Sequence, residues 1–149
     1  MPSLYIYVLL ALIAGAMMPT QAAVNNKMAG AVGSPFAAAL ISFVIGTLCL
    51  TIYAIFSGIS VTDLSAAKNA PSIAWLGGLL GAFFVTTSIV LLPRLGVAMT
   101  FSLIVAGQML ATLFFDHFGL LGVPQKTVGL ARVAGALLII AGVVLIRKF

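Results

Sequence analysis

The sequence predicts an all-α integral membrane protein of five transmembrane helices, and three observations carry that prediction. Hydrophobic residues make up 63% of the chain and charged ones only 6%, which leaves a soluble monomer almost no polar surface to show water. Apolar runs at residues 4–24, 35–57, 72–92, 95–115 and 127–146 each approach the roughly twenty residues a helix needs to cross a bilayer. None of them alternates apolar and polar residues as a membrane β-strand would. By its length of 149 residues the chain is read as one domain.

The formal charge of +5 does not point to nucleic acid. Its basic residues stand singly between apolar runs, as helix-flanking anchors do. Cys49 is the single cysteine and lies inside an apolar run, so neither a disulfide nor a metal cluster is expected. No nucleophile–base set, phosphate loop or metal-ligand spacing is present, so no enzyme activity and no cofactor are expected. The N-terminal run lacks a basic leader and is long enough to span, which marks a membrane helix rather than a signal peptide. No soluble domain is expected at either end.

The first helix carries Pro19 with Gly15 one turn before it, and a proline inside a helix frees a carbonyl and bends the axis. Beyond the bend, Met18, Gln21 or Ala22, and Asn25 share a face. Asn25 either ends the helix or joins Gln21 in a polar wall along a substrate path. The polar stretch Asn25-Asn26-Lys27 through Ser34 reads as the first separator, and Pro35 suits the first turn of helix two. That second helix repeats small residues at Ala38, Ser42 and Gly46. The third opens with Trp75 and carries Gly77 and Gly81, and the fifth has Ala131 and Gly135. Small residues four apart let membrane helices approach closely, so Gly46, Gly77, Gly81 and Gly135 are expected at helix contacts. Pro93-Arg94 leaves so short a link that helices three and four should form a tight hairpin.

The fourth run, LGVAMTFSLIVAGQMLATLFFD, places Gln108, Thr112 and Asp116 at i, i+4 and i+8, one stripe up one face. An amide in hydrocarbon must find a partner or line a wet cavity, because a bare polar group there costs several kcal/mol. The candidate substrate site therefore combines Gln21, Asn25, Ser42, Trp75, Thr86, Gln108 and Thr112. Neutral amides and hydroxyls suit a small polar or zwitterionic solute, and the indole could stack on an organic cation. Thr86 and Ser88 are weaker members, since hydroxyls in membrane helices often bond a carbonyl one turn earlier.

Titratable chemistry narrows to Asp63 in a loop and the neighbours Asp116 and His117. The last two are either a proton relay for coupling or a surface group bonded to backbone or a basic residue. Arg132 sits five residues inside the fifth run, roughly 8 Å deep, and either snorkels to the interface or pairs with Asp116.

Placing the N-terminus on one side puts Lys27, Arg94, Arg147 and Lys148 on the other, against Lys68, Lys126 and Arg132. Four against three is almost no orienting bias. Such a chain can insert both ways and assemble as an antiparallel homodimer, which supplies the inverted symmetry many carriers use for alternating access. The partners expected are a second copy or a paralogous subunit, the lipid bilayer and a small-molecule substrate, and no nucleic acid.

The stretch GAMMPTQAAVNNKMAG followed by GSPFAAALISFVIGTLCL resembles the YdcZ-like short bacterial membrane proteins of the drug/metabolite transporter superfamily. The later part, PRLGVAMTFSLIVAGQMLATLFFDHFGLLG and then VAGALLIIAGVVLI, is similar to that family and to the EamA-type half-repeat. The resemblance implies a five-helix drug/metabolite-transporter-like bundle in the bacterial inner membrane. It also implies assembly as homodimers or hetero-pairs, with dual topology in some members. The related small multidrug-resistance exporters carry a glutamate in their first helix. This chain has no glutamate and offers Gln21 and Asn25 there instead, which speaks against proton-coupled cation export by that route. The expected function is a secondary transporter working by alternating access across an antiparallel dimer. The alternative is a structural or regulatory membrane subunit, or half of a hetero-pair.

Overall fold

Five helices long and apolar enough to cross a membrane follow one another in the computed structural model, which describes residues 2–60 and 64–148. They are α1 (Pro2–Val32), α2 (Pro35–Phe56), α3 (Leu76–Leu95), α4 (Val97–Phe118) and α5 (Leu130–Lys148). Asp63 lies outside the described residues. The chain divides into two units, Met1–Pro93 and Arg94–Phe149.

The first correction concerns α1, which ends at Val32 rather than at residue 24. Asn25, Asn26 and Lys27 are interior helical residues, not a separator. The helix carries through them, and through Gly30 after them, to the residue that takes positive φ. That residue is Gly33, at φ +73°, whose N–H bonds the Ala29 carbonyl at 2.9 Å in a left-handed C-cap. Ser34 then caps α2, its Oγ accepting from the Ala37 N–H at 3.3 Å, and Pro35 takes the first turn. The link is two residues long. At 31 residues α1 is about 46 Å long, well beyond the roughly 30 Å hydrocarbon core, so it must tilt or project from the bilayer.

In the first unit α1 and α2 pack together as a hairpin. Ala38 and Ala39 of α2 meet Val85 and Ile89 of α3 in a small buried core, with Ala29 of α1 and Phe84 at its margin. The short alanine side chains are covered there by the branched ones of Val85 and Ile89. Serine 88 is buried, its hydroxyl donating to the Val85 carbonyl at 2.8 Å, the backbone bond expected of it. Trp75 lies in the first turn of the third span, Ser72–Leu95, as expected, but not in its α-helical part. It belongs to a 3-10 turn, Ser72–Trp75, that leads into α3.

Pro93 falls inside the last turn of α3 rather than in a link, and Gly96 at φ +78° is the one residue between α3 and α4. In the second unit α4 and α5 pack against each other. Gly119, at φ +61°, ends α4 with its N–H on the Phe115 carbonyl. A short 3-10 turn, Leu120–Gly122, and an extended loop then lead to α5.

Of the four glycines expected at helix contacts, Gly81 has a neighbour, the Phe43 ring of α2, which would lie 3.6 Å from an added Cβ. A Cβ at Gly46, Gly77 or Gly135 would meet nothing within 4 Å. Within the chain, close packing falls on Ala22, Ala38 and Ala39 instead.

Candidate functional site

The polar residues of α1 gather because the helix continues past Asn25. With Gly33 and Ser34 as the turn, Asn25 stands eight residues before the one and Ser42 eight after the other. Antiparallel packing therefore sets them at one level. Between the two helices runs an open groove of about 630 Å³. Gln21, Asn25 and Ser42 all line it, so three of the seven expected site residues share one wall.

Its character changes along its length. Ile13, Ala16 and Met17 make the end far from the turn; Thr20, Gln21 and Asn25 follow, with Ser42 on the α2 side, and Val24, Met28, Ala38 and Ile41 line the rest of the turn side. Gln21 and Ser42 also line a smaller recess of about 220 Å³ beside Phe43, Gly46 and Leu50. The pair thus marks the polar point shared by two depressions. Gly46 helps to form that recess rather than a helix contact.

Asn25 has a harsher environment than the others. It is 6% exposed, and its amide Nδ2 is buried with no hydrogen-bond partner. An unmade bond of this kind costs about 1–3 kcal/mol. Gln21, by contrast, is exposed within the chain. The face expected from the sequence is thereby divided. Met18, Ala22 and Asn25 form the more buried stripe, and Gln21 stands on the groove side with Met17. Thr20 and Met17 were not among the expected residues. Thr20 sits one position before Gln21 and its hydroxyl donates to the Ala16 carbonyl at 2.9 Å, leaving its oxygen as an acceptor toward the groove. An i, i+3, i+4 reading from Gln21 back to Met17 could have found the latter.

The remaining expected residues do not join this wall. Trp75 is 64% exposed in its 3-10 turn. Thr86 lines a different groove of about 410 Å³ with Phe36 of α2 and Phe83 of α3. Gln108 and Thr112 are exposed on α4 of the second unit, and the Thr112 hydroxyl donates to the Met109 carbonyl at 2.9 Å. The stripe they form is real on the helix, but its hydroxyl is already satisfied by backbone. One residue that patterning passed over is Thr100, wholly buried with its Oγ1 unpartnered.

Asp116 and His117 are built into the α4–α5 connection. Arg132 Nη1 donates to Asp116 Oδ2 at 3.0 Å, so the arginine pairs rather than merely anchoring. The Lys126 N–H bonds the Asp116 carbonyl at 2.7 Å, and the Gln125 amide bonds the His117 carbonyl at 2.9 Å. His117 Nδ1 accepts from the Val128 N–H at 3.3 Å. Both residues hold a loop in place.

The geometry is thus a hairpin of two helices able to span a membrane, with Gln21, Asn25 and Ser42 on the wall of an otherwise mostly apolar groove. Comparison with known proteins agrees. The family described as "Putative inner membrane exporter, YdcZ" matches residues 6–145. The chain belongs to this YdcZ family. A stretch of 80 residues is 35% identical to the Inner membrane protein YdcZ of Escherichia coli (strain K12), covering 52% of this chain and 53% of that relative. The match therefore spans about half the length of the curated relative. No solved structure matches. As a YdcZ-family member with five helices long and apolar enough to span, the protein is a multi-pass inner-membrane protein.

Proposed function

We propose that this YdcZ-family chain is a secondary carrier subunit that moves a small solute by alternating access, with the α1–α2 groove forming part of the passage. The observation that carries the reading is the cluster of Gln21, Asn25 and Ser42 on one groove wall between two spanning helices. Amide and hydroxyl groups kept at membrane depth ordinarily serve a polar partner. Pro19 supports a moving part. It lies inside α1 next to Thr20 and Gln21, and it removes the bond that the Gly15 carbonyl would otherwise receive. Bending there would swing the polar half of α1 relative to Ile13 and Ala16.

An antiparallel homodimer completes the proposal. The near-even split of basic residues supports insertion in both orientations, and two opposed copies give the symmetry that exchanges inward and outward states. The test is counter-flow in liposomes, with the solute chosen from a thermal-shift screen on purified protein. Wild type should exchange labelled for unlabelled solute, and Gln21→Leu should fold normally yet lose exchange. Exchange by that variant at the wild-type rate would remove the site. Cysteine labelling of both termini in intact cells tests the dimer, which a single uniform orientation overturns.

A second reading is a non-transporting subunit or half of a hetero-pair. The open faces at Gly46, Gly77 and Gly135 favour it, since small residues suit contact with another protein's helix. Absence of counter-flow together with capture of a paralogous partner would establish it instead.

A further inference from the structure

We infer that the α1–α2 groove selects an uncharged amphiphile, a molecule with a small hydrogen-bonding head and an apolar tail, and rejects cations and anions of the same shape. This deepens the carrier reading and rests on it. Three observations point there. First, no residue lining the groove carries a charge. Helices α1, α2 and α3 contain no aspartate or glutamate at all, and the charged residues described in this unit are Lys27 and Lys68, both off the groove wall. A cation entering the groove would find no counter-charge, and an ion without one in a low-dielectric wall is strongly disfavoured.

Second, the polar groups present are the right kind for a neutral head. Gln21 supplies both a donor and an acceptor, and Ser42 supplies a hydroxyl. Thr20 has already given its proton to Ala16, so it offers only an acceptor. A carboxamide, hydroxyl or similar group satisfies such a mixed set, whereas a quaternary ammonium satisfies none of it. Third, the polar groups are confined to one stretch of the groove, with Met28 and Ala38 beyond them on the turn side and an apolar stretch on the other. From Gln21 back to Ile13 is eight residues, about 12 Å along the helix, and the groove there is bounded by Ile13, Ala16, Met17 and Ile45. That stretch matches an aliphatic tail, with methionine side chains able to adjust to its shape.

The experiment uses three dansyl-labelled octyl probes that differ only in the end group: carboxamide, trimethylammonium or carboxylate. Binding to the full chain in phosphatidylcholine nanodiscs is read by energy transfer from Trp75, the single tryptophan, with empty nanodiscs as the partition blank. The carboxamide probe should bind about tenfold more tightly than either charged probe, and about tenfold more weakly to Gln21→Leu, the loss of one hydrogen-bond partner. Ser42→Ala, a smaller change beside it, should weaken binding in the same direction. A charged probe binding as tightly as the carboxamide overturns the inference. So does unchanged affinity in both variants, which would mean that only apolar surface, such as a lipid tail would use, holds the probe. Flux of the probes into vesicles separates the two levels. Selective binding of the carboxamide without any flux supports the groove's chemistry and brings down the carrier, whereas flux of a charged probe alone brings down this inference and leaves the carrier standing.

Discussion

Arg132 reaches across the connection between α4 and α5 to hold Asp116 at 3.0 Å. Both side chains are about one-third exposed, so water shares in screening the pair. The pair closes a loop that the Lys126 N–H and the Gln125 amide already tie to the end of α4. A double-mutant cycle with Asp116→Asn and Arg132→Gln should therefore give a coupling of no more than about 1 kcal/mol. Chemical unfolding in mild detergent would measure it. A coupling near zero would show the contact to be incidental, and complete loss of exchange in Asp116→Asn would return this residue to the coupling role its place beside His117 suggested.

Gly33 gives a prediction about the hairpin that carries the groove. An added Cβ there meets no atom within 4 Å, so crowding is not the issue. Its φ of +73° is, because an L side chain in the left-handed region costs roughly 1–2 kcal/mol. Gly33→Ala should destabilise the protein by about that amount and loosen the register of Asn25 against Ser42. Replacement by Asn, which tolerates this region better, should recover part of the loss. Equal stability of all three forms would mean that the turn is not held in this conformation.

The spans were legible because twenty-residue apolar runs leave few alternatives for a chain in a bilayer. The end of α1 was not. Asn25, Asn26 and Lys27 look like a separator by polarity, yet polarity does not stop a helix, and it is at Gly33 that φ turns positive. Three residues of the groove wall, the amides Gln21 and Asn25 of α1 and Ser42 of α2, were legible as polar groups in otherwise apolar helices. Trp75 and Thr86 stand away from the α1–α2 wall for different reasons. The 3-10 turn that withdraws Trp75 from α3 leaves no mark in an apolar run, and Thr86 faces a groove of its own. The small-residue spacing marked Gly46, Gly77 and Gly135, but in a sequence this rich in glycine and alanine the spacing does not say which pairs touch.

Pro19 should act on rate more than on fold. Proline inside a helix forgoes one backbone bond and strains the preceding turn, at about 3 kcal/mol in an exposed soluble helix. Pro19→Ala would restore the bond to the Gly15 carbonyl and stiffen α1 beside Gln21. The expected result is a protein more resistant to thermal unfolding, with binding retained and counter-flow slowed severalfold. Unimpaired exchange by Pro19→Ala would place the moving element elsewhere.

Asn25 permits the sharpest separation of stability from function. Its amide nitrogen is buried without a partner, and replacing such a group by an apolar one of similar shape removes the desolvation penalty. Asn25→Leu should therefore raise stability by about 1 kcal/mol, whereas an ordinary buried asparagine with its bonds made would lose stability on the same change. The same variant should bind the groove's ligand more weakly, because Asn25 lines the wall next to Gln21. Thermal unfolding and probe binding on one preparation read both effects. A stability gain with weaker binding marks a polar group retained for a ligand at the expense of the fold. A stability loss means that the amide finds a partner in the membrane-embedded protein, and Asn25 then belongs to the hairpin's packing.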